Sequence, residues 1–127
     1  KKRLKMITLE VSDLDFKTVF YGDVLVERVK MLRATKREAE FFNKKLNSHI
    51  EKNLNKIVID LSQCEFLDSS FLGALVFNLK YIERTGGEIK LVEPANTYQE
   101  LLEKTGTFKI FNTYKSIKDA VESFRYN

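Results

Sequence analysis

The sequence predicts an α/β domain, a mixed central sheet of about four to six strands packed with about four α-helices. Three observations carry this. After two β-prone runs, strand-length apolar runs alternate with capped amphipathic stretches to the end of the chain. The run Lys56–Leu61 is almost wholly apolar, as in strands buried on both faces of a sheet. A length of 127 residues suits one hydrophobic core, so residues 1–127 read as a single domain.

The elements follow in order. Phe16–Tyr21 and Val24–Val29 are β-prone and separated by Gly22-Asp23, a pair that suits a tight hairpin. Met6–Val11 adds another strand or extends the first. Thr35-Lys36-Arg37-Glu38 is a capping box, and Ala39, Phe42, Leu46, Ile50 and Leu54 step by three and four, predicting a helix over about 36–53. The Lys56–Leu61 strand follows. Asp68-Ser69-Ser70 opens the next helix, whose apolar side includes Leu72, Leu75, Val76, Leu79 and Ile82 and which ends at Thr85-Gly86-Gly87. Glu88–Val92 alternates as a strand. Pro94 can start a helix carrying Tyr98, Leu101 and Leu102 that stops near Gly106. Phe108–Phe111 reads as a short edge strand, and Ser116-Ile117-Lys118-Asp119 caps a final helix with Ala120, Val121 and Phe124.

Composition removes most chemistry. One Cys and one His leave too few ligands for a zinc site and no partner for a nucleophilic relay. His49 reads as a boundary histidine and Cys64 as a small buried hydrophobe. A Walker loop is absent, because the glycines lack the spacing to a Lys-Ser/Thr pair. No enzyme activity, metal or cofactor is expected. The net charge of +4 divides into +6 over residues 1–56 and −2 over 57–127. Its basic residues alternate with Glu38, Glu40 and Glu51 as on a solvated helix face, so nucleic acid is not the expected partner. No apolar run reaches a membrane span and no secretion signal is visible, so the expectation is a cytoplasmic protein without membrane insertion.

The informative stretch is the strand–loop–helix run from Ile57 to Leu75. Two readings of its Asp68-Ser69-Ser70 stand side by side. Asp68 or Ser69 is simply an N-cap, worth ~1 kcal/mol. Alternatively, a hydroxyl exposed at a helix N-terminus is a phosphorylation site, where free amides and the helix dipole favour the added anion.

This run resembles the STAS domain family, in particular the bacterial anti-sigma factor antagonists. Their hallmark is an apolar strand followed by an apolar-Asp-Ser-Ser/Ala-Gly-Leu-Gly helix start. Leu67-Asp68-Ser69-Ser70 and Leu72-Gly73 match it. The likeness continues through Thr85–Leu91, Pro94, Leu101, Thr105-Gly106, Phe108–Phe111, Ser116 and Ala120-Val121. It covers residues 16–124, leaving residues 1–15 as a basic extension.

The resemblance implies a STAS-like fold and a binding switch. Ser69 takes the position phosphorylated by an anti-sigma factor with serine kinase activity and restored by a PP2C-type phosphatase. The unphosphorylated form binds that kinase and frees the sigma factor. Asp68 would cap the helix and help position the hydroxyl. Ser70, Phe71, Leu72 and Gly73 would belong to the docking surface, with Arg33 and Thr35 on the neighbouring loop. A homodimer is compatible with this.

Two departures bear on the partner. Phe71 replaces the family's usual Gly, as an anchor for a different partner or as core. Met31–Thr35 lacks the family's Gly-x-Leu-Asp, so Arg33 stands where an acid is common, changing the partner or binding a phosphate on Ser69. They motivate an alternative, a structural module of a multi-protein scaffold or a cytoplasmic accessory of a transporter. A nucleotide or small-molecule sensor using the same helix start is a third reading.

Overall fold

Gly22 and Asp23 alone separate two paired strands, and a φ of +65° at Gly22 explains the glycine, since a β-carbon is costly there. The computed structural model describes residues 6–12, 15–94 and 106–125. In chain order the elements are β1 (Met6–Ser12), β2 (Phe16–Tyr21), β3 (Val24–Val29), β4 (Arg33–Ala34), α1 (Lys36–Glu51) and β5 (Lys56–Asp60). There follow β6 (Phe66–Leu67), α2 (Ser69–Glu83), β7 (Glu88–Val92), α3 (Thr107–Ile110), β8 (Asn112–Tyr114) and α4 (Ile117–Ser123).

Six strands form one mixed sheet in the order β1-β2-β3-β5-β7-β8. The first three pair antiparallel, and from β3 onward the pairing is parallel. The fold class expected from the alternation is the one found. Met6–Ser12 is a full outer strand of the sheet, although it lies within the first fifteen residues that the likeness leaves out.

Period-two alternation sends the two sets of strand side chains to opposite faces. Leu25, Val29, Ile57, Ile59, Ile89 and Leu91 meet Phe42, Leu46, Ile50, Leu75, Leu79 and Ile82 of α1 and α2 in the larger core. Val24, Val26, Val58 and Val92 meet Ala120 and Val121 of α4 in a smaller one. Helices therefore cover both faces, which is why β5 reads as continuously apolar.

Some polar groups are buried with the strands. Glu27 is fully buried, accepts from Thr18 Oγ1 at 2.9 Å on both carboxylate oxygens, and lies 3.3 Å from His49 Nε2. Asp60 accepts from Arg28 Nε at 3.2 Å and from the Ser62 amide at 3.0 Å. Lys90 donates to Ser123 Oγ at 2.6 Å, with its ammonium 4.0 Å from the Phe124 ring centroid. At the hairpin, the Lys56 ammonium donates to Asp23 at 2.8 Å and holds that carboxyl below its usual range.

One expected strand is displaced. Phe108–Phe111 is not an edge strand: residues 107–110 form the single helical turn α3, and the ladder with β7 begins at Asn112. Gly106, at φ +77°, redirects the chain, and its carbonyl accepts from the Lys109 amide at 3.0 Å, closing the turn. Thr113 and Tyr114, both good strand formers, then supply the pairing. The helix expected after Pro94, with Tyr98, Leu101 and Leu102, lies outside the described residues.

Candidate functional site

The site grows from a two-residue contact. β4 pairs in parallel with β6, Arg33 opposite Phe66 and Ala34 opposite Leu67, and each strand leads directly into a helix. The Asp68 amide donates to the Ala34 carbonyl at 3.0 Å, extending this contact to the helix starts. The N-termini of α1 and α2 are thereby held side by side. The sequence does not announce this small sheet, because two residues carry no periodicity.

Asp68 joins the two starts. Its Oδ1 accepts from the Phe71 amide at 2.9 Å, the cap expected for α2. Its Oδ2 accepts from the Lys36 amide at 2.7 Å, in the first turn of α1. One carboxylate thus satisfies an orphan donor on each of two helices. Thr35 caps α1 itself: its Oγ1 accepts from the Arg37 amide at 3.3 Å, and Glu38 Oε1 accepts from the Thr35 amide at 2.9 Å. Thr35 sits on the same rim as Ser69, but its side chain is engaged in the cap.

Ser69 is the first residue of α2 and is exposed, as is Ser70. Among the described residues the Ser69 hydroxyl has no hydrogen-bond partner. Arg33 is also exposed, with its guanidinium carbon 4.3 Å from the Phe66 ring centroid, a cation–π contact beside the strand that leads to Ser69.

Phe71 corrects the sequence expectation of a docking residue. It is fully buried, and its ring stacks on Phe42 with centroids 4.5 Å apart. A residue two positions into α2 points down into the α1–α2 interface, so it belongs to the core and not to the surface. Leu72 is buried at its base too, but still lines a surface groove. Gly73 is exposed, and a β-carbon built on it would meet no atom within 4 Å, so packing does not demand the glycine.

Two grooves run back from the serines along α2. One, of about 550 Å³, is lined by Ser69, Leu72, Gly73, Val76, Phe77, Lys80 and, from α3, Ile110. The other, of about 270 Å³, lies between α1 and α2 and is lined by Ala39, Glu40, Asn43, Ser70, Ala74 and Phe77. Phe77, 53% exposed, borders both. Sequence reasoning missed Phe77, Lys80 and Ile110 as groove residues; it placed Val76 on the apolar side of α2, where it packs against the core and also lines the groove. The signal was present, since Ser69, Gly73, Val76 and Lys80 recur at the three- and four-residue spacing of one helix face.

Cys64 lies beneath the loop before β6. It is fully buried, its Sγ lies 3.2 Å from the Phe66 carbonyl, and burial pushes the thiol above its usual value. It is a packing residue, as expected. Among the described residues, no group of three or more His, Cys, Asp or Glu side chains is placed to hold a metal ion.

Comparison with known proteins gives a consistent result. Residues 35–120 match the family model described as STAS domain. A Thermotoga maritima protein named as a candidate anti-sigma factor antagonist is 37% identical over 76 residues, covering 60% of this chain and 67% of that protein. The anti-sigma F factor antagonist of Paenibacillus polymyxa is 34% identical over 65 residues, covering 51% of this chain and 56% of that protein. The crystal structure of a candidate antagonist from T. maritima superposes with a TM-score of 0.79 at 30% identity, covering 87% of this chain and 94% of the other.

Proposed function

The chain belongs to the STAS domain family, and from that premise we propose that it is an anti-sigma factor antagonist working as a phosphorylation-controlled binding switch. Ser69 is the residue modified. The partner is an anti-sigma factor with serine kinase activity, which the unphosphorylated chain binds, releasing the sigma factor. A PP2C-type phosphatase restores the hydroxyl. The chain itself is a binding protein and a kinase substrate, not an enzyme.

One observation supports this above the others. Among the described residues the Ser69 hydroxyl is exposed and unengaged at the head of α2, while the neighbouring Asp68 caps α2 and also accepts from the first turn of α1. Chemistry at Ser69 can therefore proceed without loosening the fold. In the transfer, Ser69 Oγ bonds to the γ-phosphorus of ATP, the bond from that phosphorus to the β–γ bridging oxygen breaks, ADP leaves, and the hydroxyl proton passes to the kinase. The product carries about −1.5 to −2 charge, which the free amides at a helix start tolerate but an interface does not. Losing charge-assisted contacts and burying an unpaired dianion beside Asp68 costs on the order of 1.5–3 kcal/mol per contact, or ten- to hundredfold in affinity.

The test uses the serine-kinase anti-sigma factor of the same organism. With ATP it should label the chain at a single site, and Ser69→Ala should remove the label. Ser69→Asp should weaken binding tenfold or more. Undiminished labelling of Ser69→Ala, or wild-type affinity of Ser69→Asp, would contradict the proposal. The burial of Phe71 removes one of the two reasons for the scaffold alternative, because that ring presents nothing to a partner.

A further inference from the structure

The larger groove beside Ser69 has a chemical character of its own. Its floor is Leu72 and Val76, its walls are Phe77 and Ile110, and its far end is Lys80. Phe77 and Ile110 are 53% and 48% exposed, two of the four large apolar side chains that stand out to solvent among the described residues. Lys80 is the one charged residue among the groove's described lining, and Lys109, next to Ile110, is exposed as well. The smaller groove across Phe77 is different, because Glu40 is its charge. From Ser69 to Lys80 the groove follows α2 for about three turns, or ~16 Å at 1.5 Å per residue.

Gly73 opens the middle of this groove. It is helical, its φ does not require glycine, and the space around it is empty. A glycine in a helix interior costs roughly 0.5–1 kcal/mol relative to Ala, so a position where any side chain fits is poorly used unless something else comes close. A helix laid along α2 needs such an approach.

We propose that the Ser69–Lys80 groove receives an amphipathic helix of the anti-sigma partner, with apolar side chains seated over Gly73 and Val76 between Phe77 and Ile110, and a carboxylate meeting Lys80. This rests on the partner-binding reading above and extends it. Contact at Ser69 is the part that phosphorylation controls, while the groove supplies an apolar and acidic specificity that phosphorylation leaves in place. The occupant's charge follows from the groove: an acid complements Lys80 and Lys109, whereas a basic helix would oppose them.

The experiment measures affinity of the full chain for the purified serine-kinase anti-sigma factor. Gly73→Leu fills the groove and Lys80→Glu reverses its charge. Each variant should melt within a few degrees of wild type and lose tenfold or more in affinity. A Ser69→Asp/Lys80→Glu double variant should bind more weakly than either single variant. In the wild-type complex, NMR contacts from the Val76 and Ile110 methyls should run to partner apolar residues spaced three and four apart. If Gly73→Leu and Lys80→Glu both bind within twofold of wild type while Ser69→Asp does not bind, the groove proposal falls and the switch stands. If the partner does not bind wild type at all, the switch reading falls and the groove proposal with it. If the free chain is a dimer that Phe77→Ser dissociates, a second copy occupies the groove and the proposal is overturned. NMR contacts from the same methyls to residues 95–105 of the free chain, persisting in the complex, would likewise overturn it.

Discussion

At Cys64 burial has a consequence that can be titrated. An ordinary thiol ionises near pH 8.5, and in the folded chain burial holds this one protonated beyond that. Above the ordinary value the unfolded chain releases a proton that the folded chain keeps, so the unfolded state binds fewer protons and stability falls as pH rises. Urea midpoints should therefore decline above about pH 8.5, and Cys64→Ala should flatten the decline while lowering stability at neutral pH. A thiol reagent should label Cys64 only as the protein unfolds. The buried character of Cys64 was legible from its place just after an apolar strand. That of Phe71 was not, because a residue on the first turn of a helix faces core or solvent according to how the neighbouring helix lies. Here it is Phe42 on α1 that claims the ring.

Among elements, the double cap at Asp68 separates two variants that look alike in sequence. Asp68→Ala removes a hydrogen-bond acceptor from the starts of both α1 and α2, so it should cost about 2 kcal/mol, twice a usual cap. Ser69→Ala should leave the urea midpoint nearly unchanged, because that hydroxyl bonds nothing described. A loss of only about 1 kcal/mol from Asp68→Ala would mean that the Lys36 contact carries no weight. The caps at Thr35 and Ser116 and the hairpin at Gly22 could be read directly, because each is a local pattern of a few residues. What was illegible was non-local. The β4–β6 contact joins residues more than thirty positions apart through two-residue strands. The placement of β8 at Asn112 depends on a turn at Gly106 that leaves the alternation of the flanking residues unaltered.

Across the whole molecule, the two layers carry different buried charges. Glu27, under α1, has Thr18 and His49 as partners, while Lys90, under α4, has a serine hydroxyl and two aromatic rings. Among the described residues no carboxylate pairs with Lys90. Desolvating the ammonium offsets much of what its contacts return. Lys90→Met keeps the length and the apolar stem, and its unfolding free energy from urea titration should lie within about 1 kcal/mol of wild type or above it. A loss of several kcal/mol would show that the cation–π and hydroxyl contacts outweigh desolvation. These charges escaped the sequence reading because Leu-Val-Glu and Ile-Lys-Leu still count as strand patterns. Only the sheet order shows what each polar residue faces.

The carboxylate shared by two helices also bears on descent. Position 69 is free to drift, since a lineage that replaces the serine with alanine or glycine gives up a reactive group and keeps a sound domain. Position 68 has no such liberty, because its loss takes a hydrogen-bond acceptor from two helix starts at once. If the proposed switch is right, copies of this gene that lose it should keep the acid long after the hydroxyl is gone. The neighbouring pair would then record separately whether a descendant still folds and whether it still carries the hydroxyl that the proposed switch requires.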